Sequence, residues 1–508
     1  MRSATIRRIA TMVATGFLLT GTGGCVSLVR STFRSHDVAA NGATQTDNRF
    51  RQALSLGNFA EAYRRSGKIK LGAPQDKLLR ALYRGTAAFH AGDYKAAAAS
   101  FAEADKLAEE RETRSLSRGA ASLVTNDQVL SYLPSRTERL FTRYYAMMSW
   151  LRAGDQEAAT VEARRLGMML QATSDSLGAA ERATHAMLRD AAGSVFEAAG
   201  ERNDALVSYR NAAFLRGATP QAIDSITLEP VHPDSVTVVV FVERGFVAHR
   251  VNQELTIPIG ARWEPSPAKV VQPAMFTVGG PLDVAGAGPR RSDSSDDSTD
   301  IDVKAIVASL VGALGTTNDA LFAGEGNNWS RSRSFGRGSV FDSFDGPTLS
   351  LSWPALVRTR VPDAVLRFVG SSMAAADSLA FGSPLNEVGA VDVSDAIAAD
   401  LRRALPSMLT RLVIRSAAKA KVTDAIEDKH GQFAGFLVGV AGAVLETADT
   451  RSWQLLPGRM SMVRTRVART DSIAKVRVGE SDVAQSIAID GRAANDIHVT
   501  SLRIFRFP

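Results

Sequence analysis

The sequence predicts an α+β protein. An α-helical repeat domain covers 49–220, and a mixed α/β domain with an antiparallel sheet and a helical insertion covers 221–508. Three observations predict it. A unit of small and aromatic residues at helical spacing recurs in the first half. Strand-like β-branched runs begin only after Pro230. A long helical stretch over 392–445 interrupts those runs. With 508 residues the chain is long enough for two or three domains, and its 45% hydrophobic and 22% charged content is that of a globular protein.

Residues 1–24 have the three parts of an export signal. Arg2, Arg7 and Arg8 form a positive start, and Ile9–Thr20 is an apolar run too short to span a bilayer. Small residues at 21–24 then lead to Cys25, the only cysteine of the chain. The segment resembles the bacterial lipobox, in which small residues precede a cysteine that receives a diacylglycerol and becomes the acylated N-terminus. Thr22 stands where that family prefers Leu. An ordinary cleaved signal followed by a chance cysteine is the alternative, and the position of the sole cysteine favours the lipoprotein. Several acyl chains anchor stably where one does not. Val26, rather than Asp, follows the cysteine, which by resemblance to Gram-negative sorting implies the outer membrane, facing the periplasm. The polar residues over 25–48 read as a flexible tether.

One cysteine excludes an internal disulfide and Cys-based zinc sites. The net charge of +7 suggests nucleic acid at first sight. Three of those charges lie in the signal, however, and no Lys/Arg run with interleaved aromatics follows, so no nucleic-acid partner is expected.

The repeat unit is clearest as Gly85, Gly92-Asp93-Tyr94, Ala97, Phe101 and Ala104. It returns as Gly193, Gly200, Ala205, Tyr209 and Ala212. Weaker copies run from Trp150 through Gly154-Asp155 to Ala163, and over Leu56-Gly57-Asn58-Phe59. The small residues let two antiparallel helices approach, the glycine before Asp, Asn or Glu ends the first helix, and the aromatic fills the gap. The pattern resembles the tetratricopeptide repeat. The turn glycines at 57, 92, 154 and 200 are unevenly spaced, and only the first interval is near that family's period of about 34. The array is therefore TPR-like but degenerate, with an insertion near Ser115–Glu138; a generic helical-hairpin bundle is the alternative.

After Pro230, Ser235–Val242 reads as a strand, Glu243-Arg244-Gly245 as its turn and Phe246–Ile259 as the return strand. The acidic stretch near 286–301 and the Gly/Ser/Arg-rich stretch near 324–346 read as disordered or surface loops. Leu349–Val357, Ala364–Val369, Ser461–Val467, Ile473–Val478 and Val499–Phe507 read as further strands, and Asp392–Leu445 as helix broken at Pro406.

The whole order then shows a resemblance. The lipobox is followed by SYLPSRTERLFTRYYAMMSWLRAGDQEAATVEARR (Ser131–Arg165), VVVFVERG (Val238–Gly245), IPI (Ile257–Ile259), RLVIRSAAKA (Arg411–Ala420) and ADTRSWQLLP (Ala448–Pro457). The chain resembles a family of uncharacterised bacterial lipoproteins with N-terminal tetratricopeptide-like repeats. ADTRSWQLLP is the most specific segment, and the resemblance makes Asp449, Arg451 and Trp453 signature residues. A buried Trp braced by an Arg–Asp pair is the structural reading of them; a ligand pocket is the functional one.

Motifs for chemistry are weak. Ser416-Ala-Ala-Lys419 matches S-x-x-K, but K-T-G and S-D-N are missing. Gly324-Glu-Gly326 lacks the third glycine of a dinucleotide loop, and no Walker loop or H-E-x-x-H occurs. The spacing of Asp293, Asp296, Asp297 and Asp300 does not fit an EF-hand. The glycine stripe in Phe433–Leu445 suits a buried hairpin better than a membrane span. No catalytic residue, metal or cofactor is expected.

The resulting expectation is a non-catalytic adaptor or scaffold for a cell-envelope machine serving secretion, polysaccharide export or peptidoglycan synthesis, tethered through Cys25. The alternative is an envelope enzyme with a site in the C-terminal domain. In repeats of this kind the first helix of each pair lines the concave groove. That assigns Phe89, His90, Tyr144, Arg152, Asp190 and Glu197 to a partner groove, unless the C-terminal domain fills it.

Overall fold

The computed structural model of the protein describes residues 49–50, 52–54, 56–68, 76–117, 132–172, 177–228, 230, 233–258, 276–277, 280–281, 321, 348–358, 361, 366–369, 388–430, 448–469, 473–478, 484–488 and 494–504. The expected signal (1–24), Cys25, the tether (25–48), the loops near 286–301 and 324–346 and the apolar run Phe433–Leu445 lie outside the described residues.

The chain is α+β. Its first half is helical: α1 (Phe59–Ser66), α2 (Lys77–Ala91), α3 (Tyr94–Ser117), α4 (Arg136–Arg152), α5 (Gln156–Ala172), α6 (Ala179–Ala198), α7 (Arg202–Leu215) and the short α8 (Pro220–Asp224). Consecutive helices pack as hairpins, α2 on α3, α4 on α5 and α6 on α7. The turns follow from the sequence. Gly92 adopts φ +85°; its N–H donates to Phe89 O and the Asp93 N–H to Ala88 O, which closes the end of α2. The same pair of bonds recurs at Gly154 and Gly200.

The small and aromatic positions of the unit meet inside each hairpin. A Cβ placed on Gly85 would lie 2.8 Å from the Phe101 ring, and one on Gly193 would lie 2.7 Å from the Tyr209 ring. Gly85→Ala and Gly193→Ala should therefore each cost about 1–3 kcal/mol, the usual penalty for overpacking. Urea unfolding of the two variants measures this. Unchanged midpoints would mean that the rings move aside freely.

The second half supplies β1 (Ser235–Arg244), β2 (His249–Pro258), the two-residue strands β3 (Phe276–Thr277) and β4 (Gly280–Pro281), β5 (Thr348–Val357), β6 (Leu366–Val369), β7 (Val388–Asp392), α9 (Val393–His430), β8 (Arg459–Ala468), β9 (Ile473–Val478), β10 (Ala484–Ala488) and β11 (Ile497–Ile504). The main sheet has the order β11-β1-β8-β7. β9 lies between β10 and β6 in a second ladder, and β2 pairs with β5.

Three expectations are corrected here. β1 does not turn at Glu243 to pair with the next strand; it continues through Arg244, and β2 pairs with β5 instead (Leu255 opposite Leu351). From Val238 to Arg244 every residue of β1 is buried, so both faces are covered and the strand is central. Its two neighbours come from the far end of the chain. The main sheet is also not purely antiparallel: β1 runs antiparallel to β8 but parallel to β11, with Val240 opposite Val463 and Thr500. Finally, α9 runs through Pro406 without ending. Leu401, Leu405, Leu409 and Leu412 are buried on both sides of the proline, and packing of that apolar stripe outweighs the lost hydrogen bond.

The halves share one core. The helices α2, α4 and α6, the first of each hairpin, are buried along most of their length, as a helix covered on two sides must be. Their second helices cover one side; on the other, α9 packs against α4 and α6, and β7 and β11 against α6.

Candidate functional site

The signature segment lies where the two halves meet. Trp453 is fully buried, its ring 5.9 Å from Phe101 of α3 and 5.8 Å from Tyr145 of α4. Its Nε1–H donates to Thr86 Oγ1 of α2 at 3.1 Å. Its backbone N–H donates to Glu138 Oε1 at 2.6 Å. Glu138 already caps α4, where its other oxygen accepts from the Ser135 N–H and its own N–H donates to Ser135 Oγ. One carboxylate thus closes a helix and receives the C-terminal half.

Arg451 clamps beside it. Its Nε and Nη2 reach the two Asp449 oxygens at 2.8 Å, and its Nη1 reaches Asp76, just before α2, at 2.7 Å. Burial works against the Arg451 charge, but the bonds to Asp449 and Asp76 outweigh it and raise its pKa.

A second polar cluster surrounds Glu243, which the sequence reading placed in a turn. Tyr144 and Tyr145 donate to its two oxygens at 3.2 and 2.6 Å, and Arg503 Nη1 of β11 donates at 3.0 Å. Arg503 Nη2 also donates to the carbonyls of Gly245 and Leu455. His90 Nε2 lies 3.9 Å from the carboxylate. Burial raises the Glu243 pKa while Arg503 opposes that, and burial with Arg503 nearby holds the His90 pKa well below its usual value. Burial and the Glu243 charge push both tyrosines up.

The expected open groove is thereby corrected. Of the six residues assigned to it, Phe89 packs edge-on to Tyr145 inside the core, and His90 and Tyr144 face Glu243. Arg152 meets His498 of β11 at 3.3 Å and lies over the Tyr94 ring. Asp190 pairs with Arg216. Glu197 accepts from both terminal nitrogens of Arg464 on β8, at 2.9 and 2.8 Å, and from the Tyr209 hydroxyl at 2.7 Å. Burial opposes the Glu197 charge, yet Arg464 prevails and its pKa is lowered. These side chains of the first helices are covered by the chain's own second half, because a sheet with an apolar face must cover it and the inner helices are the matching surface.

The sequence reading missed Glu243, Arg503, Tyr145, Glu138 and Arg464. Two signals pointed to them. Glu243 follows the apolar run Val238–Val242, where a charge requires a buried partner, and Ser135-x-x-Glu138 is a capping box. These clusters are buried and satisfied largely by one another, so their chemistry is that of a clamp.

The outer face of the hairpins differs. Between α3, α4 and α5 lies a surface cavity of about 210 Å³. Phe101, Ala146 and Trp150 give it an apolar floor, and Asp105, Glu109, Arg143 and Glu162 form its polar wall. Arg143, itself buried, pairs with Asp105, with Glu162 at 2.7 Å and with Glu109 at 3.5 Å. Among the described residues no group of His, Cys, Asp and Glu is arranged to hold a metal ion, and no helix is long and apolar enough to cross a membrane. No family model, curated protein or solved structure matches this chain.

Proposed function

We propose that the protein is a lipid-anchored periplasmic adaptor of the bacterial cell envelope, held at the outer membrane through Cys25, and that its hairpins are degenerate TPR-like repeats which bind a partner through their outer face. The observation that carries the anchor is the sole cysteine directly after a signal-like segment. Two features support the outer face. The inner face is covered by the chain itself, and the second helices of two hairpins repeat exposed apolar residues at matching distances from their turn glycines: Val161 and Met168 after Gly154, Val207 and Phe214 after Gly200. Phe214, at 69%, is the most exposed large hydrophobic residue among the described residues.

Cys25→Ser should abolish incorporation of a labelled fatty acid and release the protein from the membrane fraction. Wild-type protein that is unlabelled and fully soluble would overturn the anchor. Co-purification of an envelope protein with the lipidated chain, lost in a Val207→Glu, Phe214→Glu variant whose melting temperature is unchanged, tests the adaptor role. Retained capture by that variant would place the partner elsewhere.

A further inference from the structure

We propose that the cavity between α3, α4 and α5 binds a free α-amino acid with an apolar side chain, recognised as a zwitterion. The proposal goes beyond the adaptor reading and does not depend on it. One face of α3 forms the longer wall, with Ala98, Phe101, Ala102, Asp105, Lys106 and Glu109 at helical spacing. The cavity of about 210 Å³ is smaller than the about 300–1,000 Å³ of ordinary small-molecule sites. It has the volume of about seven water molecules, which limits the ligand to about ten non-hydrogen atoms. Its floor is apolar, with Phe101 and Ala146 buried and Trp150 half-buried.

The charges of the lining select the class of ligand. Three carboxylates, Asp105, Glu109 and Glu162, stand with three cations, Lys106, Arg143 and Arg165. Such a wall is formally neutral. A lone cation or anion brought into it would lack a counter-charge, whereas a ligand carrying one charge of each sign leaves none uncompensated. The signs also differ with depth. Asp105, Glu162 and Arg143 lie deep, with side chains no more than 13% exposed, and there two carboxylates share one guanidinium. Glu109, Lys106 and Arg165 are exposed at the rim, and there two cations accompany one carboxylate. Arg165 reaches Glu162 at 2.8 Å and Arg143 reaches Glu109 at 3.5 Å, so depth and rim form one network of alternating charge. An amino acid extends that alternation. Its ammonium group meets the deep carboxylates, its carboxylate meets Lys106 and Arg165, and its side chain covers the apolar floor. A residue inside a peptide carries neither charge, and a peptide end carries only one.

The test is isothermal titration calorimetry of the lipidated full chain in detergent, with L-leucine as the probe. Leucine should bind saturably, one molecule to each chain. N-acetyl-L-leucine, which loses the ammonium group, and L-leucine amide, which loses the carboxylate, should each bind about tenfold or more weakly, the effect of one lost charge-assisted hydrogen bond. Ala102→Trp fills the mouth from an exposed position and should abolish leucine binding. Lys106→Glu reverses a rim cation and should weaken leucine binding by about fivefold or more. Lys95→Glu makes the same charge change near the start of α3, outside the lining, and should alter affinity by no more than about twofold, because salt screens it at that distance. Absence of saturable leucine binding, equal binding of either blocked leucine, undiminished binding by Ala102→Trp, or equal losses in the two lysine variants would each overturn the proposal.

Discussion

Trp453→Ala is expected to cost about 3–5 kcal/mol, the usual loss on truncating a large buried aromatic side chain. The ring is fully buried against Phe101 and Tyr145, so its removal opens a cavity that three helices and the C-terminal segment cannot close together. Trp453→Phe keeps most of the apolar contact and removes only the bond to Thr86, so it should lose about 1 kcal/mol for the bond plus a smaller packing term. Arg451→Ala should also destabilise, because Asp76 and Asp449 would remain partly buried without their guanidinium. Urea unfolding followed by far-UV circular dichroism and tryptophan fluorescence measures these changes. The helical half and the sheet should unfold together, because Trp453 and Arg451 bind α2 and α4 directly. Unchanged stability combined with lost partner binding would instead make Trp453 part of a binding site.

Glu243→Leu is expected to be of similar size, about 3–5 kcal/mol, because it strands a charge. Arg503 is as deeply buried as Glu243 and would lose its carboxylate while keeping the carbonyls of Gly245 and Leu455. Both tyrosine hydroxyls would lose their acceptor as well. The informative comparison is the double variant Glu243→Leu, Arg503→Met. Replacing a whole buried ion pair by apolar residues is often neutral, so the double variant should recover much of the loss. Failure to recover would show that the tyrosine bonds, rather than the stranded charge, dominate. The cluster also sets a pH response. His90 is held neutral in the fold, whereas the unfolded chain takes up a proton near pH 6.5. Stability should therefore be full above that value and fall as the pH drops below it. His185 acts in the same sense, its pKa lowered to about 4 mainly by burial, so its share is lost between about pH 6.5 and 4. Glu243, whose pKa burial raises, acts in the opposite sense, so the check is an NMR titration of the two imidazoles in the folded chain; protonation of either near pH 6.5 would contradict its burial.

Local chemistry was legible from residues alone. Gly92, Gly154 and Gly200 end helices because a left-handed turn suits them, and Phe101 and Tyr209 fill hairpins because Gly85 and Gly193 leave room. The strand β9 has the limits its alternation predicts. These are effects between residues a few positions apart or one helical hairpin apart, so residue types and their spacing suffice to read them. Which surface faces which is set by packing between distant segments. β1 takes its neighbours from strands more than two hundred residues later, and periodicity carries no information about such pairing. The inner residues Tyr144, Arg152 and Glu197 have the composition of a binding surface, and the same composition suits a buried polar interface. Aromatic and ionic groups serve both ends equally well. Whether they meet a partner or the chain's own sheet depends on where the second half must bury its apolar face, and that is settled by packing at long range.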